Sequence, residues 1–266
     1  MRQQARLDQI LATISSQDRI SVEQIADLSG TSLATARRDL SVLTARGLVT
    51  RTHGGAVAVA SGYELPMAYR LARNAPAKRA IGAAAAALVA AGDVVGLTGG
   101  TTTSELGRAL AARPDLVPRV GTGVTVMTNA LNIAYELAIR PHVKLVMTGG
   151  VARPQTFELV GPIAADTLSD VVIDIAFIGV DGLDASRGAT TTDEAEADVN
   201  HRMLGAARRV VVVADATKFD HAAFARTCTL TEIHTLVTDA APPERLAEAL
   251  ANADVEVIVS PPQSRG

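Results

Sequence analysis

Apolar segments alternate with helical segments over residues 78–260, and this alternation constrains the fold more than any other feature. The apolar segments are residues 94–98, 124–127, 145–148, 175–180, 210–214, 236–238 and 255–259. They are continuously apolar, which is typical of parallel strands buried on both faces. Helices are predicted at residues 81–91, 104–111, 130–138, 163–168, 194–207 and 243–251. The pattern predicts an α/β domain with a doubly wound, mostly parallel sheet.

Residues 1–59 follow a different, mainly helical pattern. Apolar residues at helical spacing predict a first helix over residues 2–15. Ser21 and Gln24 have the spacing of a capping box that begins a second, short helix, and Gly30 ends it. A third helix follows and ends at Gly47; its buried face is expected to contain Leu33, Ala36, Leu40 and Leu43.

A predicted hairpin completes this first region. Residues 48–52 and 56–59 are β-prone, and Gly54-Gly55 provides the turn between them. Three helices and a hairpin predict a winged helix-turn-helix domain over residues 1–59. Gly62, Pro66 and Pro76 interrupt the next stretch, so residues 60–77 are predicted to be a linker with a short helix near residues 67–72.

Composition limits the class of protein. The chain has 266 residues, enough for two domains that bury their own cores. One cysteine, Cys228, excludes a disulfide framework and a site of several thiolates. The longest apolar run is too short to span a bilayer, no secretory signal pattern is visible, and the five histidines lack metal-ligand spacing. We expect a cytoplasmic protein without a metal or other cofactor.

Polar and cationic residues on the third helix form the first candidate site. Hydroxyl and guanidinium groups suit phosphates and base edges, and arginine reads guanine bidentately. Cationic residues on the predicted wing can reach the DNA backbone or minor groove. The candidate DNA-binding residues are Ser32, Thr35, Arg37, Arg38, Arg51 and His53. The alternative is an ordinary solvated helix face.

A glycine- and threonine-rich loop is the second candidate site. Gly99, Gly100, Thr101, Thr102 and Thr103 follow an apolar strand and open a helix. Glycine allows close approach of a ligand, and N–H groups at a helix N-terminus favour an anion. The loop contains no lysine, so it is not a P-loop. The alternative is a structural strand–helix turn.

Further polar or small residues follow other predicted strands, at the edge where ligands bind in open α/β sheets. They are Thr128, Asn129, Gly149, Gly150, Asp181, Glu196 and Lys218. Carboxylates and a lysine at such an edge suit proton transfer beside a sugar carbonyl. The alternative is that the carboxylates are solvated and that Lys218 pairs with one of them. No catalytic residue is assigned.

The sequence resembles the DeoR family of bacterial transcriptional regulators over nearly its whole length. The N-terminal match lies in Thr35-Ala36-Arg37-Arg38-Asp39-Leu40 and Arg51-Thr52-His53-Gly54-Gly55-Ala56. The C-terminal match includes Gly100-Thr101-Thr102-Thr103, Leu159-Val160-Gly161-Pro162 and Asp215-Ala216-Thr217-Lys218-Phe219. The sequence departs from the family where Thr98-Gly99 replaces Asp-Ser and Asn200 replaces a lysine, which removes two charged groups.

The resemblance implies a repressor of a sugar or carbohydrate operon that a phosphorylated sugar metabolite releases from operator DNA. It implies a sensor domain similar in fold to ribose-5-phosphate isomerase, and a homodimer or homotetramer. The third helix would read the major groove, and the Gly-Thr-Thr-Thr loop with Lys218 would hold the effector's phosphate. The alternative function is a sugar-phosphate isomerase or deaminase with a fused DNA-binding domain.

Overall fold

The chain divides into two compact units, Met1–Ala75 and Pro76–Gly266. A computed structural model describes residues 3–17, 19–45, 48–58, 67–117 and 123–261. The predicted C-terminal stop of the third helix at Gly47, the last hairpin residue Val59 and linker residues 60–66 lie outside those ranges. No helix in the described ranges is long and apolar enough to cross a membrane.

The first unit has the predicted helices and hairpin. Its elements are α1 (Gln3–Gln17), β1 (Arg19–Ser21), α2 (Val22–Ser29), α3 (Leu33–Ala45), β2 (Val49–Thr52), β3 (Gly55–Ala58) and α4 (Met67–Ala72). The three strands form an antiparallel sheet in the order β1-β3-β2. The sequence did not predict β1, which is only three residues long and lies directly before α2.

Local capping sets the boundaries of α2. Ser21 accepts a hydrogen bond from the Gln24 N–H at 3.1 Å, and the Gln24 side chain accepts one from the Ser21 N–H at 2.8 Å. Gly30 ends the helix in the left-handed conformation, with φ of 60°. These contacts confirm the predicted capping box and stop. Apolar residues of α1, α2, α3 and the sheet form one core around Ile10, Ile25 and Leu40.

The second unit is built around a parallel sheet. In chain order its elements are α5 (Ala75–Ala86), β4 (Val94–Leu97), α6 (Thr101–Ala111), β5 (Val124–Thr128), α7 (Leu131–Leu137), β6 (Val143–Met147), β7 (Val151–Ala152), β8 (Leu159–Val160), α8 (Pro162–Thr167), β9 (Ile173–Gly179), β10 (Gly182–Asp184), β11 (Gly188–Thr191), α9 (Glu194–Gly205), β12 (Ala207–Val213), β13 (Ala225–Cys228), β14 (Thr235–Thr238), α10 (Glu244–Asn252) and β15 (Glu256–Val259).

All seven predicted strands belong to one sheet with the order β15-β14-β12-β9-β4-β5-β6. Every neighbouring pair in it is parallel. Phe177 and Ile178, adjacent in β9, contribute to separate apolar clusters, so both faces of the sheet are buried. The doubly wound α/β prediction is confirmed. The chain winds outward from β4 through β5 to β6 and then restarts at β9, so β4 and β9 flank the topological switch point.

Several elements differ from the predicted ones. The helix predicted at residues 81–91 is α5, which begins at Ala75 and ends at Ala86. Gly82 brings it against the backbone of α6, where a methyl group would meet Glu105 and Leu106 atoms at 2.7 Å. The structure also contains a β7–β8 hairpin and a small antiparallel sheet, β10-β11-β13. Their strands have two to four residues, too few to show a period in the sequence.

Candidate functional sites

The outer face of α3 presents two arginines to solvent. Ala36, Leu40 and Leu43 on its inner face are fully buried in the core of the first unit. Arg37 and Arg38 are exposed. Guanidinium groups on an exposed helix are suited to contacts with phosphates and with guanine. The burial pattern therefore leaves a cationic surface on the helix that was predicted to read DNA.

The N-terminal end of α3 corrects one prediction. Leu33, expected on the buried face, is 43% exposed. It is the first residue of the helix, and helical side chains lean toward the N-terminus, so this one extends past the core. The hydroxyl of Ser32 accepts a hydrogen bond from the Thr35 N–H at 3.3 Å and lies 3.1 Å from the Thr35 hydroxyl. Ser32 therefore caps the helix.

A buried ion pair holds the inner side of α3. Asp39 is 1% exposed, and its two carboxylate oxygens accept hydrogen bonds from Nε and Nη2 of Arg6 in α1, at 2.8 and 3.2 Å. These hydrogen bonds raise the pKa of Arg6 above its usual value. Sequence reasoning missed this pair. An acidic residue one position before buried Leu40 was the available signal.

The two wing residues have different surroundings. Arg51 in β2 is exposed, and its Nη2 donates a hydrogen bond to the carbonyl oxygen of Arg37 at 3.0 Å. His53 lies in the turn between β2 and β3 and is exposed. Arg51 thus connects the wing to the helix that carries the exposed arginines. A guanidinium has five N–H donors, so this bond is compatible with an additional contact to DNA.

The glycine- and threonine-rich loop lies at the carboxyl end of β4, beside the switch point. Gly100 caps α6 with φ of 128°, a conformation suited to glycine. The four residues that follow, Thr101, Thr102, Thr103 and Ser104, are buried and form the first turn of the helix. The first N–H groups of an α-helix have no acceptor within it. The Thr103 and Ser104 hydroxyls donate to the Gly100 carbonyl oxygen at 3.1 and 2.6 Å. The groups that this turn offers to an anion are therefore its first N–H groups and the Thr101 and Thr102 hydroxyls.

Hydrogen bonds join the loop to both neighbouring strands. The Gly179 N–H at the end of β9 donates to Thr98 Oγ1 at 3.0 Å. The Gly99 N–H donates to Asn129 Oδ1 at 3.1 Å, and Thr128 Oγ1 donates to the Leu97 carbonyl oxygen at 2.7 Å. Thr128 and Asn129 are fully buried. The structure thus brings the predicted residues after β4 and β5 together.

Gly149 and Gly150 follow β6 and have positive φ angles of 73° and 114°. A methyl group at Gly150 would lie 2.7 Å from the Val160 carbonyl oxygen and 3.0 Å from Ala164 Cβ. Gly150 therefore allows the β7–β8 hairpin and α8 to pack closely. This contact gives Gly150 a packing role at the same edge of the sheet.

Asp181 and Lys218 meet at the other side of the switch point. Lys218 Nζ lies 3.7 Å from Asp181 Oδ1. Asp181 Oδ2 accepts hydrogen bonds from the Thr191 hydroxyl at 3.1 Å and from the N–H and hydroxyl of Thr192 at 3.2 Å. This ion pair agrees with the alternative that Lys218 pairs with one of the carboxylates at this edge of the sheet. Its side chain remains 30% exposed, so it is also accessible to an anion.

Glu196 belongs to a buried network next to Asp181. It is 2% exposed and forms an ion pair with Arg153, which also contacts Asp193 Oδ2 at 3.1 Å. The Thr156 hydroxyl donates to Glu196 at 2.5 Å. Thr191 bridges the two parts of the site, because its hydroxyl also lies 3.4 Å from Glu196 Oε2. Sequence reasoning missed Arg153 and Thr156, which lie in a hairpin without a periodic pattern.

Two further buried side chains bear on the chemistry. Asn200, one turn after Glu196, is 3% exposed, and its Oδ1 has no hydrogen-bond partner among the described residues. Burial raises the pKa of the Cys228 thiol to about 12. Cys228 is therefore a neutral, packed thiol at pH 7.

Comparison with known proteins decides the family. A family model described as the DeoR C terminal sensor domain matches residues 73–240, and one described as the DeoR-like helix-turn-helix domain matches residues 6–61. The chain belongs to the DeoR family. This confirms the resemblance inferred from the two sequence motifs.

Relatives of this DeoR-family chain match it almost end to end. The HTH-type transcriptional regulator GlpR of Haloferax volcanii is 37% identical, over 95% of this chain and 96% of the relative. The HTH-type transcriptional repressor GlcR of Bacillus subtilis is 32% identical, over 98% and 97%. Among solved structures, ribose 5-phosphate isomerase A of Methanocaldococcus jannaschii aligns over 53% of each chain with a TM-score of 0.38 and 19% identity. The chain is a DNA-binding transcriptional regulator and not an enzyme.

Proposed function

We propose that the protein represses a sugar or carbohydrate catabolic operon and leaves its operator when a phosphorylated sugar binds to the second unit. The observation that carries this proposal is the buried Gly-Thr-Thr-Thr turn at the switch point of a parallel sheet, in a chain whose first unit exposes arginines on α3. A repressor name among the relatives supports the direction of regulation. The proposed division is a DNA-binding domain at residues 1–59, a linker at 60–77 and a sensor at 78–260.

On the DNA side, Arg37 and Arg38 are the proposed base and phosphate contacts. Both are exposed on α3. Ser32 and Thr35 lie at its N-terminal end, where helix N–H groups also favour phosphate. Arg51 and His53 are proposed to contact the backbone near the wing. Each member of this set lies in the first unit, and all of them except the partly buried Thr35 are exposed.

In the sensor, the turn at Gly99–Thr103 is proposed to hold the effector's phosphate, and Lys218 to supply positive charge. A charge-assisted hydrogen bond contributes about 1.5–3 kcal/mol. The remaining residues proposed to surround the sugar are Thr128, Asn129, Gly149, Gly150, Asp181 and Glu196. Carboxylates and amides at this edge are suited to sugar hydroxyls.

We further propose that the protein acts in the cytoplasm as a homodimer or homotetramer. Regulators with a helix-turn-helix bind paired half-sites, so a two-fold assembly matches a palindromic operator. Sedimentation with and without operator DNA measures the assembly directly.

Operator release tests the proposal. The operator is first selected by the wild-type protein from a random DNA pool, and sugar phosphates are then screened for release. A variant with Thr101→Val and Thr102→Val should bind this DNA normally and remain bound when the releasing sugar phosphate is added. Thr125→Val, in β5 and outside the loop, is the matched control and should respond like wild type. Normal release by the double variant would contradict the proposed phosphate site.

A further inference from the structure

We propose that Glu158 determines ligand specificity in the sensor, by accepting a hydrogen bond from a hydroxyl or ammonium group of the bound sugar phosphate. This inference rests on the proposed function, because it assumes that the loop at Gly99–Thr103 holds the phosphate. Glu158 had no place in the sequence predictions. It is 4% exposed and lies between β7 and β8.

The backbone fixes the position of Glu158 relative to the loop after β5. Phe157 has a left-handed conformation, with φ of 62°. Its carbonyl oxygen accepts a hydrogen bond from the Leu131 N–H at 2.9 Å, and the Leu159 N–H donates to the Asn129 carbonyl oxygen at 2.7 Å. Glu158 itself forms an antiparallel bridge with Ala130. Hydrogen bonds on both sides therefore hold this residue at the carboxyl end of β5.

The side chain of Glu158 reaches from there to the phosphate loop. Asn129 Nδ2 donates to Glu158 Oε2 at 3.2 Å, while Asn129 Oδ1 accepts the Gly99 N–H at 3.1 Å. Asn129 thus connects the carboxylate to the loop and is oriented by both contacts.

Gly99 gives the carboxylate its space. A methyl group on Gly99 would overlap Cγ, Cδ and Oε1 of Glu158. The φ of Gly99 is outside the left-handed region, so alanine is compatible with its backbone. Glu158 therefore occupies the space that a side chain at residue 99 would need. Residues 99 and 158 form one packing unit.

A carboxylate beside an anion-binding turn has a specific chemical consequence. It repels a phosphate group, so it adds nothing to the phosphate contact itself. It accepts strong hydrogen bonds from hydroxyl or ammonium groups that lie next to the phosphate. The site should therefore prefer a phosphate that carries such donors over the bare inorganic anion. Glu158 would be responsible for that preference.

The experiment compares affinities for inorganic phosphate and for sugar phosphates by calorimetry or by ³¹P NMR. The probes are ribose 5-phosphate, glucose 6-phosphate, glucosamine 6-phosphate and glycerol 3-phosphate. The measured quantity is the ratio of the Kd of inorganic phosphate to the Kd of the tightest probe. In this ratio, effects on the phosphate contact cancel.

Two independent variants change the carboxylate. Glu158→Gln keeps the size of the side chain and removes its charge, and the ratio should fall about tenfold. Gly99→Ala leaves Glu158 in the chain but displaces it, and the ratio should fall similarly. In the double variant the ratio should fall no further than in the more affected single variant, since both changes act on one contact. Lys218→Ala is the control: it should weaken both ligands and leave the ratio unchanged.

The outcomes separate this proposal from the proposed function. A wild-type ratio near one, or a ratio that neither variant changes, overturns the role of Glu158 while the phosphate site stands. Additive effects of the two single variants also overturn it. Failure of the wild-type chain to bind inorganic phosphate or any probe overturns the phosphate site itself.

Discussion

The two units of this regulator place their polar groups in opposite ways. In the first unit, Arg37 and Arg38 are exposed, and among the described residues the core beneath them is apolar except for Asp39. In the second, the candidate ligand groups are buried and bonded to one another, as in the chain from Gly99 through Asn129 to Glu158.

This difference agrees with the sizes of the two proposed ligands. DNA is a large polyanion that a protein contacts from outside, so its contact residues remain on the surface. A small metabolite is bound by enclosing it, so its contact residues form part of the interior. Substitutions of the exposed arginines on α3 should therefore change binding without changing stability. Substitutions of buried polar groups should change stability first.

The largest effect is expected from Arg37→Ala combined with Arg38→Ala. A bidentate base contact contributes about 1–3 kcal/mol, so the pair should lower operator affinity by at least about thirtyfold. Because both side chains are exposed, Tm should be unchanged. Fluorescence anisotropy and calorimetry measure the two quantities. Arg208→Ala, an exposed arginine in β12, is the control for loss of charge. Retained operator affinity in the folded double variant would remove α3 from the interface.

Asp39→Ala should lower the stability of the first unit, whereas the double arginine variant should lower only its affinity for the operator. It removes the buried carboxylate that holds Arg6 of α1 against α3, and we expect a lower Tm and a lower free energy of unfolding. Hydrogen exchange of the α3 amides should report it. Asp198→Ala breaks an exposed i,i+4 pair with Arg202 and should cost less than about 0.5 kcal/mol. Equal costs for the two substitutions would refute the contrast between buried and exposed pairs.

Lys218→Ala should weaken binding of the releasing sugar phosphate by about tenfold, because it removes the proposed charge-assisted contact with the phosphate. Operator affinity without the sugar phosphate should not change. Lys144, exposed in β6, supplies the matched control, Lys144→Ala. A titration of operator release measures both. If the two lysine variants behave alike, Lys218 does not contact the effector.

Arg51→Ala is expected to have the smallest effect, about threefold in operator affinity, since it removes one hydrogen bond to the Arg37 carbonyl oxygen. The salt dependence shows whether Arg51 also contacts DNA. A lost phosphate contact lowers the slope of log K against log salt by about one, whereas a lost contact within the protein leaves it unchanged. An unchanged slope would assign Arg51 to the support of α3 alone.

The sequence predicted the regular elements well and the details of the sites incompletely. The seven strands of the main sheet were predictable because burial on both faces makes them continuously apolar. The capping box of Ser21 and Gln24 was predictable because it depends on residues three apart. Contacts across the sheet were not, since Glu158 meets Gly99 only after the strand order has brought their loops together.

The same reason explains the other missed residues. Arg6 and Asp39 are 33 residues apart, and Arg153 and Glu196 are 43 apart. Neither pair has a local pattern. Leu33 shows the reverse error, because periodicity placed it in the core although it begins a helix and is exposed. The spacing of apolar residues identifies the buried face of a helix. It does not show where the elements that cover this face end.

The strand order also affects the timing of folding during synthesis. The first unit builds its core from residues 7–56, whereas β4 must pair with β9, and Val94 hydrogen-bonds to Asp174 across 80 residues of chain. At about 5–20 residues per second, a ribosome needs roughly 4–16 s to make that stretch. During this interval the nascent chain carries a DNA-binding head whose sensor sheet lacks its central pair. The first unit can therefore complete its core before the sheet of the second unit is complete.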